Sequence, residues 1–413
     1  MRRIALTITL LVLLVSPGWA EVRTITATGE YRMGDNDTRA DAKRLALQDA
    51  KRLALEKAGT YIESITEVKN FALSRDELRA YAAGIVEVLE SATKSAMEGE
   101  TTIVRVDVTC KIDTAVVARQ IDSLRKNEAI KVDLLLAQEE ADRLRQELEA
   151  KTRELASVKS KTEAETVARA RRSALTDQDA NSLLTQARVV LGGSDKSFLA
   201  GSSSTEGRRR ARSLIEQALS LNASMPRAHR EMGILLQEEG DLEGAIAEYR
   251  AALRLKPGFA GAHTSLGIAL YDKGDPEGAI AEFRMALSFE PGDAKTHANL
   301  GLALQAKGDL NGALAEIRTA LRLEPDYAMA HNNLGTMLRA KGDQEGAIAE
   351  YRAALRLEPD NASAHYNLGN ALKAKNKGTE AAREFREFLR LVPDSPKNRK
   401  FIDRAKAALR ELE

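Results

Sequence analysis

Five histidines give this chain its most regular candidate chemistry, because they are its only histidines and recur at one constant interval. They are His229, His263, His297, His331 and His365, and we call the interval between consecutive members the repeat step. Imidazole binds metals and titrates near neutral pH, so the spacing raises two interpretations, a metal site and a pH switch. If the repeats are stacked helices, equivalent rings lie about 8 to 10 Å apart, too far to share an ion with bonds of about 2.1 Å. We therefore predict that the rings pack within their own repeats and that the chain has no metal site.

Three asparagines are separated by the same repeat step, namely Asn299, Asn333 and Asn367. An amide both donates and accepts hydrogen bonds, so a ladder of amides can pair with the backbone of an extended peptide. Glu231 and Ser265 hold the equivalent position earlier in the chain, which restricts the hypothesis to the last three repeats. The predicted peptide-binding residues are Asn299, Asn332, Asn333, Thr336, Arg339, Tyr366, Asn367, Asn370 and Lys373. The alternative is that the asparagines only keep this surface hydrated.

Motifs for catalysis are weak. Ser91 and Lys94 match Ser-x-x-Lys, but the segment is strand-like and the companion Ser-Asp-Asn and Lys-Thr-Gly motifs are missing. The acidic run at 35–37 suggests calcium, yet it lacks the glycine and glutamate of a calcium loop, so a helix start fits it better. The sequence has no phosphate-binding loop, dinucleotide-binding glycine pattern or Cys/His metal set. We predict no catalytic residue and no cofactor, and hence a protein that is not an enzyme.

Cys110 is the only cysteine, so it cannot close a disulfide within the chain. It alternates with Val104, Val106 and Val108, which places the four side chains on one face of a strand. A small buried hydrophobe is the favoured interpretation of this thiol, and a redox role is the alternative.

The bulk composition predicts a folded, helix-rich protein of several domains, since 413 residues exceed one typical core, 43% are hydrophobic and 30% are charged. The 62 basic and 61 acidic residues leave a formal net charge of +1. This balance creates no overall field that would draw the chain to nucleic acid, so we predict no nucleic-acid partner.

Residues 1–20 have the pattern of a secretory signal peptide, with two early arginines, an apolar run from Ile4 to Val15, and Gly18-Trp-Ala20 as a cleavage site. The alternative is a membrane anchor, but a span needs roughly 20 apolar residues and this run has about 12. We predict export with cleavage before Glu21 and no transmembrane span afterwards. The predicted location is the periplasm or envelope of a bacterium.

Residues 21–118 alternate strand and helix signals and predict a small α+β domain with a mostly antiparallel sheet. The predicted strands cover 22–31, 61–68, 85–94 and 101–112, and the predicted helices run from 37 or 38 to 57, before Gly59, and from 75 to 83. Alanines fall at every fourth position of the first helix, at Ala42, Ala46, Ala50, Ala54 and Ala58. Such a narrow stripe lets a helix lie close against a sheet.

This segment resembles the N-terminal domain of flagellar assembly protein T and related small outer-membrane lipoproteins of the bacterial envelope. The similarity rests on Thr26-Ala-Thr-Gly29, the helix from Arg39 to Gly59, Asn70-x-x-Leu73 with Asp76-x-Leu78, and Ala83-Gly84. It covers about 90 residues and implies an assembly module without catalysis. It does not imply that the chain is flagellar. The alternative is an enzyme with an unrecognised site in this domain.

Residues 119–172 contain neither glycine nor proline, and their apolar positions follow alternating steps of four and three. One step of seven crosses Lys151. The seam comprises Ile130, Leu134, Ala137, Ala141, Leu144, Leu148, Leu155 and Val158. This pattern is typical of a coiled coil and predicts one long helix that joins copies into a homo-oligomer. The alternatives are a single solvated spacer helix, or a purely structural oligomer whose repeats hold nothing.

The repeat step also organises the small and apolar positions between 226 and 393, where Gly233, Ala245 and Pro257 each recur four more times. One unit cannot bury its apolar face alone, so five units must stack into a solenoid. Residues 177–225 predict a degenerate sixth unit with a Gly/Ser loop and helices near 178–191 and 208–221. Residues 394–413 predict a capping helix.

These units resemble the tetratricopeptide repeat (TPR) family, in which each unit is a pair of antiparallel helices. The resemblance implies that Gly233, Ala245 and their equivalents lie where the two helices cross, and that Tyr249 and its equivalents fill the space between units. Gly240 and its equivalents occupy the inner turn, with Asn376 in the fifth unit. The family holds peptides on the concave face of the first helices. The His-x-Asn-Leu-Gly run is similar to the superhelix of the O-linked N-acetylglucosamine transferase, where an asparagine ladder does this, but the transferase domain is absent.

Together these features predict a mainly α protein, a TPR α-solenoid preceded by a long helix or coiled coil and a small α+β domain. The predicted function is that of an exported scaffold or adaptor in cell-envelope assembly. Its predicted partner is a protein or extended peptide bound on the concave face of the repeats.

Overall fold

The computed structural model describes residues 22–68, 88–113, 128–158, 160–192, 205–393, 395 and 398–412. The predicted signal peptide, the helix predicted at 75–83 and most of the Gly/Ser loop lie outside these residues. The chain divides into two compact parts, which we call the N-terminal part (Met1–Gln178) and the C-terminal part (Asp179–Glu413).

A three-stranded antiparallel sheet forms the β-structure of the N-terminal part. It consists of β1 (Val22–Arg32), β2 (Val88–Glu98) and β3 (Thr101–Asp113), in the order β1-β3-β2. β2 and β3 are joined by a two-residue turn in which Gly99 has φ +63, a conformation that favours glycine. The alternating residues of β3 from Val104 to Cys110 are buried, as their spacing predicts.

Helix α1 (Arg39–Val68) packs on this sheet through its alanine stripe, and all five alanines are fully buried. The backbones are so close that a Cβ on Gly29 would lie 2.1 Å from the Ala46 carbonyl oxygen. Two predictions are wrong here, because α1 passes through Gly59 and includes the segment 61–68 that was predicted as a strand. Glycine inside a helix costs only about 0.5 to 1 kcal/mol, which a helix docked along a whole alanine face outweighs.

The long helix predicted over 119–172 is also wrong as a single element. The structure has α2 (Glu128–Ser157) and α3 (Lys161–Gly192), separated by a short break. Leu148 packs with Leu45, Ala174 and Leu175, and Leu155 packs with a second cluster on α3. These two seam residues, which were predicted to join copies of the chain, are therefore buried within it.

An ionic cluster fastens α3 to the turn before α1. The Arg171 side chain is only 1% exposed, and its Nη2 lies 2.7 Å from Asp37 Oδ1. Asp37 Oδ2 accepts hydrogen bonds from Gly34 N and from the Tyr31 hydroxyl. Burial and the nearby Asp37 carboxylate raise the pKa of Tyr31 to about 12. Asp37 of the acidic run at 35–37 thus supplies a buried ion pair, and the next residue, Thr38, caps α1 by accepting from Asp41 N at 3.1 Å.

The C-terminal part is a run of helix pairs, and each pair is one repeat unit. Its helices are α4 (Thr205–Leu221), α5 (Pro226–Glu239), α6 (Leu242–Leu255), α7 (Ala260–Lys273), α8 (Pro276–Phe289), α9 (Ala294–Lys307), α10 (Leu310–Leu323), α11 (Ala328–Ala340), α12 (Gln344–Leu357), α13 (Ala362–Ala374), α14 (Gly378–Leu391) and α15 (Arg399–Leu412). Helices α5 to α14 make five pairs. The residues of α3 from Ala180 to Leu191 pack against α4 and α5, so the degenerate unit borrows the end of a longer helix.

Each pair is held by a glycine on its first helix. A Cβ on Gly233 would lie 2.5 Å from the Tyr249 ring, and the equivalent glycines meet the equivalent large side chains at 2.6 to 2.9 Å. Tyr249 and its equivalents were predicted to fill the space between units. The structure shows that each also packs inside its own unit, against the face that glycine leaves flat.

The turn between the helices of a pair repeats the same backbone geometry. Gly240 and its equivalents have φ between +88 and +92, and Asn376 has φ +58 in the fifth unit, as predicted. The next residue in the first four units is an aspartate whose carboxylate caps the second helix at 2.8 or 2.9 Å. Both devices end one helix and begin the next within a few residues.

Candidate functional site

The first helices of neighbouring units lie side by side, and their polar side chains meet across the gap. Asn367 Nδ2 donates to Asn332 Oδ1 at 3.0 Å, which joins the fifth unit to the fourth. Earlier, Thr264 and Thr296 exchange a hydrogen bond of 2.8 Å between their hydroxyls. We call the surface formed by Asn299, Asn332, Asn333, Asn367 and Asn370 on α9, α11 and α13 the asparagine face.

Asn333 is the amide of this face whose donor is both buried and unsatisfied. Its side chain is buried, at 8% exposure, and its Nδ2 has no hydrogen-bond partner among the described residues. A buried donor without a partner costs about 1 to 3 kcal/mol. A peptide carbonyl would remove that cost once the amide turns toward the surface, because Nδ2 is itself buried in this structure.

Other predicted site residues are partly engaged by their own helices. Thr336 donates to the Asn332 carbonyl at 3.1 Å and accepts from the Tyr351 hydroxyl at 3.2 Å. Asn370 Nδ2 donates to the Tyr366 carbonyl at 2.8 Å, so its Oδ1 is the atom left for a ligand. These bonds fix the rotamers of the face before anything binds.

Tyr366 and Lys373 contact α15 in addition to the face. The Tyr366 ring lies edge-on to Phe401, with centroids 5.6 Å apart, and 5.0 Å from Phe388. Lys373 is paired with Glu411. Arg339 is exposed, with no hydrogen bond or ion pair to any described residue. The structure therefore brings the nine predicted residues onto three neighbouring helices. Two of these residues, Tyr366 and Lys373, also contact α15.

The equivalent position in the first repeat unit holds a buried carboxylate, whose Oε2 has no hydrogen-bond partner among the described residues. Glu231 is fully buried between Arg230, which donates to it at 3.1 Å, and Arg188, which lies 3.6 Å away. In the second unit Ser265 donates to the Gly261 carbonyl at 2.9 Å. These contacts are consistent with restricting the ladder to the later units. Sequence reasoning missed Arg188, because α3 precedes the regular repeats.

The five histidines pack as predicted, through a partner that the prediction did not include. Each Nδ1 lies 2.6 or 2.7 Å from a carboxylate oxygen of a glutamate on the second helix of the same unit. These glutamates are Glu248, Glu282, Glu316, Glu350 and Glu384. Each Nε2 faces a backbone carbonyl at 2.8 to 3.1 Å. The glutamates recur at the same repeat step as the histidines, so the signal was present in the sequence.

Two acceptors around one imidazole require a proton on both ring nitrogens, or else a proton on the carboxyl. Burial by itself lowers the pKa of His365, but the hydrogen bonds to Glu384 and the Pro359 carbonyl outweigh it, so that pKa is raised. Burial raises the pKa of Glu384, and His365 and Arg383 outweigh this effect, so that pKa is lowered. We call these five His–Glu pairs the histidine column. Among the described residues, no group of three His, Cys, Asp or Glu side chains could hold a metal.

The candidate catalytic motif of the N-terminal part, Ser91 with Lys94, is described only at its lysine side chain. Lys94 lies 3.6 Å from Asp107, at a surface where the lysine is exposed. Cys110 is buried, and burial raises the pKa of its thiol. A buried thiol held in its neutral form is a poor nucleophile, which agrees with the packing interpretation.

Comparison with known families identifies the helix pairs. Models of the tetratricopeptide repeat match residues 205–258 and 230–294, then 294–327, and a TPR repeat model matches 335–376. These segments are tetratricopeptide repeats. A search of curated proteins found no match to the chain.

Several solved structures are similar to the TPR region. PilF of Pseudomonas aeruginosa is 19% identical, with 55% of this chain and 99% of PilF covered and a TM-score of 0.45. MamA is 26% identical, with 38% of this chain and 93% of MamA covered and a TM-score of 0.35. YrrB, described as a TPR protein with an unusual peptide-binding site, is 23% identical, with 47% and 97% covered and a TM-score of 0.35.

Proposed function

We propose that this protein is an exported TPR scaffold of the bacterial envelope that holds an extended segment of another protein on its asparagine face. The observation that carries the proposal is Asn333, whose buried amide donor has no partner within the described residues. Its neighbours Asn299 and Asn367 repeat the same group one unit before and one unit after.

Neutral amides suit a main chain better than a charged side chain. Each can accept from a backbone N–H and donate to a backbone carbonyl, and an extended segment offers both groups along its length. The fixed rotamers of Thr336 and Asn370 reduce the entropy that binding must overcome. The face is therefore preorganised for a backbone and indifferent to most side-chain sequences.

The export part of the proposal rests on the signal-peptide pattern of residues 1–20. Among the described residues, no helix combines the length and the apolar composition that a membrane span requires. Full-length protein made in a Gram-negative host should appear in the periplasmic fraction with Glu21 as its first residue. Protein that stays in the cytoplasm with Met1 or Arg2 at its terminus would contradict export.

The face is tested by replacing Asn299, Asn333 and Asn367 together with Ala. Quantitative pull-down from a periplasmic extract should lose the partners that the wild-type protein retains. The circular dichroism melt should stay cooperative and shift only by the loss of the Asn367–Asn332 hydrogen bond. Asn311→Ala is the matched control, because Asn311 is an exposed asparagine on a second helix. Equal recovery of the same partners by the triple variant and the control would refute the role of the face.

A further inference from the structure

The repeat register extends beyond the fifth unit onto α15. One further repeat step takes Tyr366 to Lys400, Asn367 to Phe401 and Asn370 to Arg404. Helix α15 packs on the fifth pair through Ala405 and Ala408, and its Ile402 is also buried. It thus follows α13 in the place of a further first helix, and Lys400, Phe401 and Arg404 continue the asparagine face.

The chemistry of the face changes at this point. Phe401 is 44% exposed, although α15 already buries Ile402, Ala405 and Ala408 as its packing residues. Its ring is held edge-on by Tyr366 at 87°, an arrangement that aromatic pairs favour. An aromatic pair with one ring open to solvent offers a contact for a large apolar side chain.

The charge around this pair is positive. Lys400 and Arg404 are exposed, and neither makes a hydrogen bond or ion pair with a described residue. Asp403 is also exposed and, three residues after Lys400, is its neighbour on the helix surface, yet no ion pair joins it to Lys400 or Arg404 among the described residues. Lys373 and Glu411 neutralise each other. Two cations that no described residue neutralises therefore flank the aromatic pair.

We propose that Tyr366, Lys400, Phe401 and Arg404 form a terminal subsite for a large apolar side chain flanked by acidic residues. This inference rests on the proposed function, because the same extended segment would run along the asparagine face and end here. Charge complementarity and the exposed ring select the occupant. An acidic segment with an aromatic or large aliphatic residue satisfies both groups, whereas a basic segment would be repelled.

Selection of random linear dodecapeptides on the immobilised full chain tests both the terminal subsite and the proposed function. We expect enriched peptides to carry Phe, Trp, Tyr or Leu next to two or more Asp or Glu residues. An enriched peptide, synthesised with a fluorescent label, should bind about fivefold or more weakly to Phe401→Ala and to Arg404→Glu by fluorescence anisotropy. Exchanging its acidic residues for Lys should restore binding to Arg404→Glu.

Arg410→Glu is the control, because Arg410 is exposed on α15 outside the register of the face. Phe401→Ala and Arg404→Glu both change exposed residues, so both variants should keep the wild-type melting curve. Peptides without an apolar and acidic preference, or peptides that bind both variants like the wild type, would overturn the subsite and leave the proposed function standing. Peptides whose binding survives replacement of all three ladder asparagines, or no enrichment on the wild type, would overturn the proposed function itself.

Discussion

The histidine column and the asparagine face lie on the same first helices, repeat at the same step and are both polar. They differ in whether the chain satisfies their hydrogen-bonding groups. Every imidazole of the column is bonded at both ring nitrogens, at Nδ1 by a glutamate of its own unit and at Nε2 by a backbone carbonyl six residues earlier. In the face, Asn333 keeps a donor that no described residue satisfies. A periodic polar residue is therefore not a binding site by virtue of its period. What matters is whether the chain itself supplies its partner.

The largest effect should come from opening the histidine column. His365→Ala leaves Glu384 buried, with Arg383 at 3.0 Å as its remaining charged partner, and should lower the free energy of unfolding by about 2 kcal/mol. Urea denaturation followed by circular dichroism measures the loss. In a double-mutant cycle with Glu384→Ala, the two losses should be less than additive. Full additivity would show that the pair contributes nothing jointly.

Asn333→Ala should show the reverse profile. Its buried amide donor satisfies nothing in the described chain and costs free energy while it is unpaired, so the free energy of unfolding should not fall, while affinity for a selected peptide should fall about tenfold. Urea denaturation and fluorescence anisotropy on the same preparation give both numbers. A variant that unfolds easily yet binds normally would place Asn333 with the histidines as a packing residue.

The His365–Glu384 pair should also make stability depend on pH in a defined direction. The pKa of His365 is raised above 6.5, so its stabilising contribution is complete below about pH 6.5 and is lost as the pH rises through the raised value. The pKa of Glu384 is lowered below 4.5, so its contribution is complete above about pH 4.5 and is lost as the pH falls through the lowered value.

The melting temperature should consequently be highest between about pH 4.5 and 6.5 as far as this pair is concerned. Thermal melts at intervals across this range and up to pH 9 measure the effect, and His365→Gln is the control in which the upper slope should flatten. An identical slope in that variant would mean that other groups cause the pH dependence.

The smallest effect should come from lengthening the face. Ser265→Asn places an amide in the second unit at the position equivalent to Asn299. Ser265 now donates only to a carbonyl of its own helix, so little is lost, and affinity for a long extended peptide should rise about threefold. Peptides that end before the second unit should bind as to the wild type, and anisotropy with short and long peptides separates the cases. A uniform gain for both lengths would contradict a linear ladder.

The sequence predicted well those features that depend on local geometry and a fixed period. Gly240 and Asn376 occupy left-handed turns because few residues tolerate that conformation, and the alanine stripe of α1 is buried because only a small side chain permits the approach seen at Gly29. The packing of His365 was also predictable, since a metal shared between units would need rings closer than stacked helices allow.

Features that depend on competition between distant parts of the chain were predicted poorly. The seam of α2 has a coiled-coil period whether it meets another copy or its own neighbour, and Leu148 meets Ala174 and Leu175 of α3. Gly59 is a helix stop by propensity, but tertiary packing of α1 overrides it. Tyr366 was assigned to the open face because the repeat step alone does not show that its ring packs against Phe401 of the capping helix.

The most direct test of the account is a crystal structure of the full chain with a selected peptide bound. We expect an extended peptide on α9, α11 and α13, with one of its backbone carbonyls about 2.9 Å from Asn333 Nδ2 and the His365–Glu384 pair unchanged. A peptide bound elsewhere, with the Asn333 amide still lacking a partner, would contradict the central claim that the asparagine face is the binding surface.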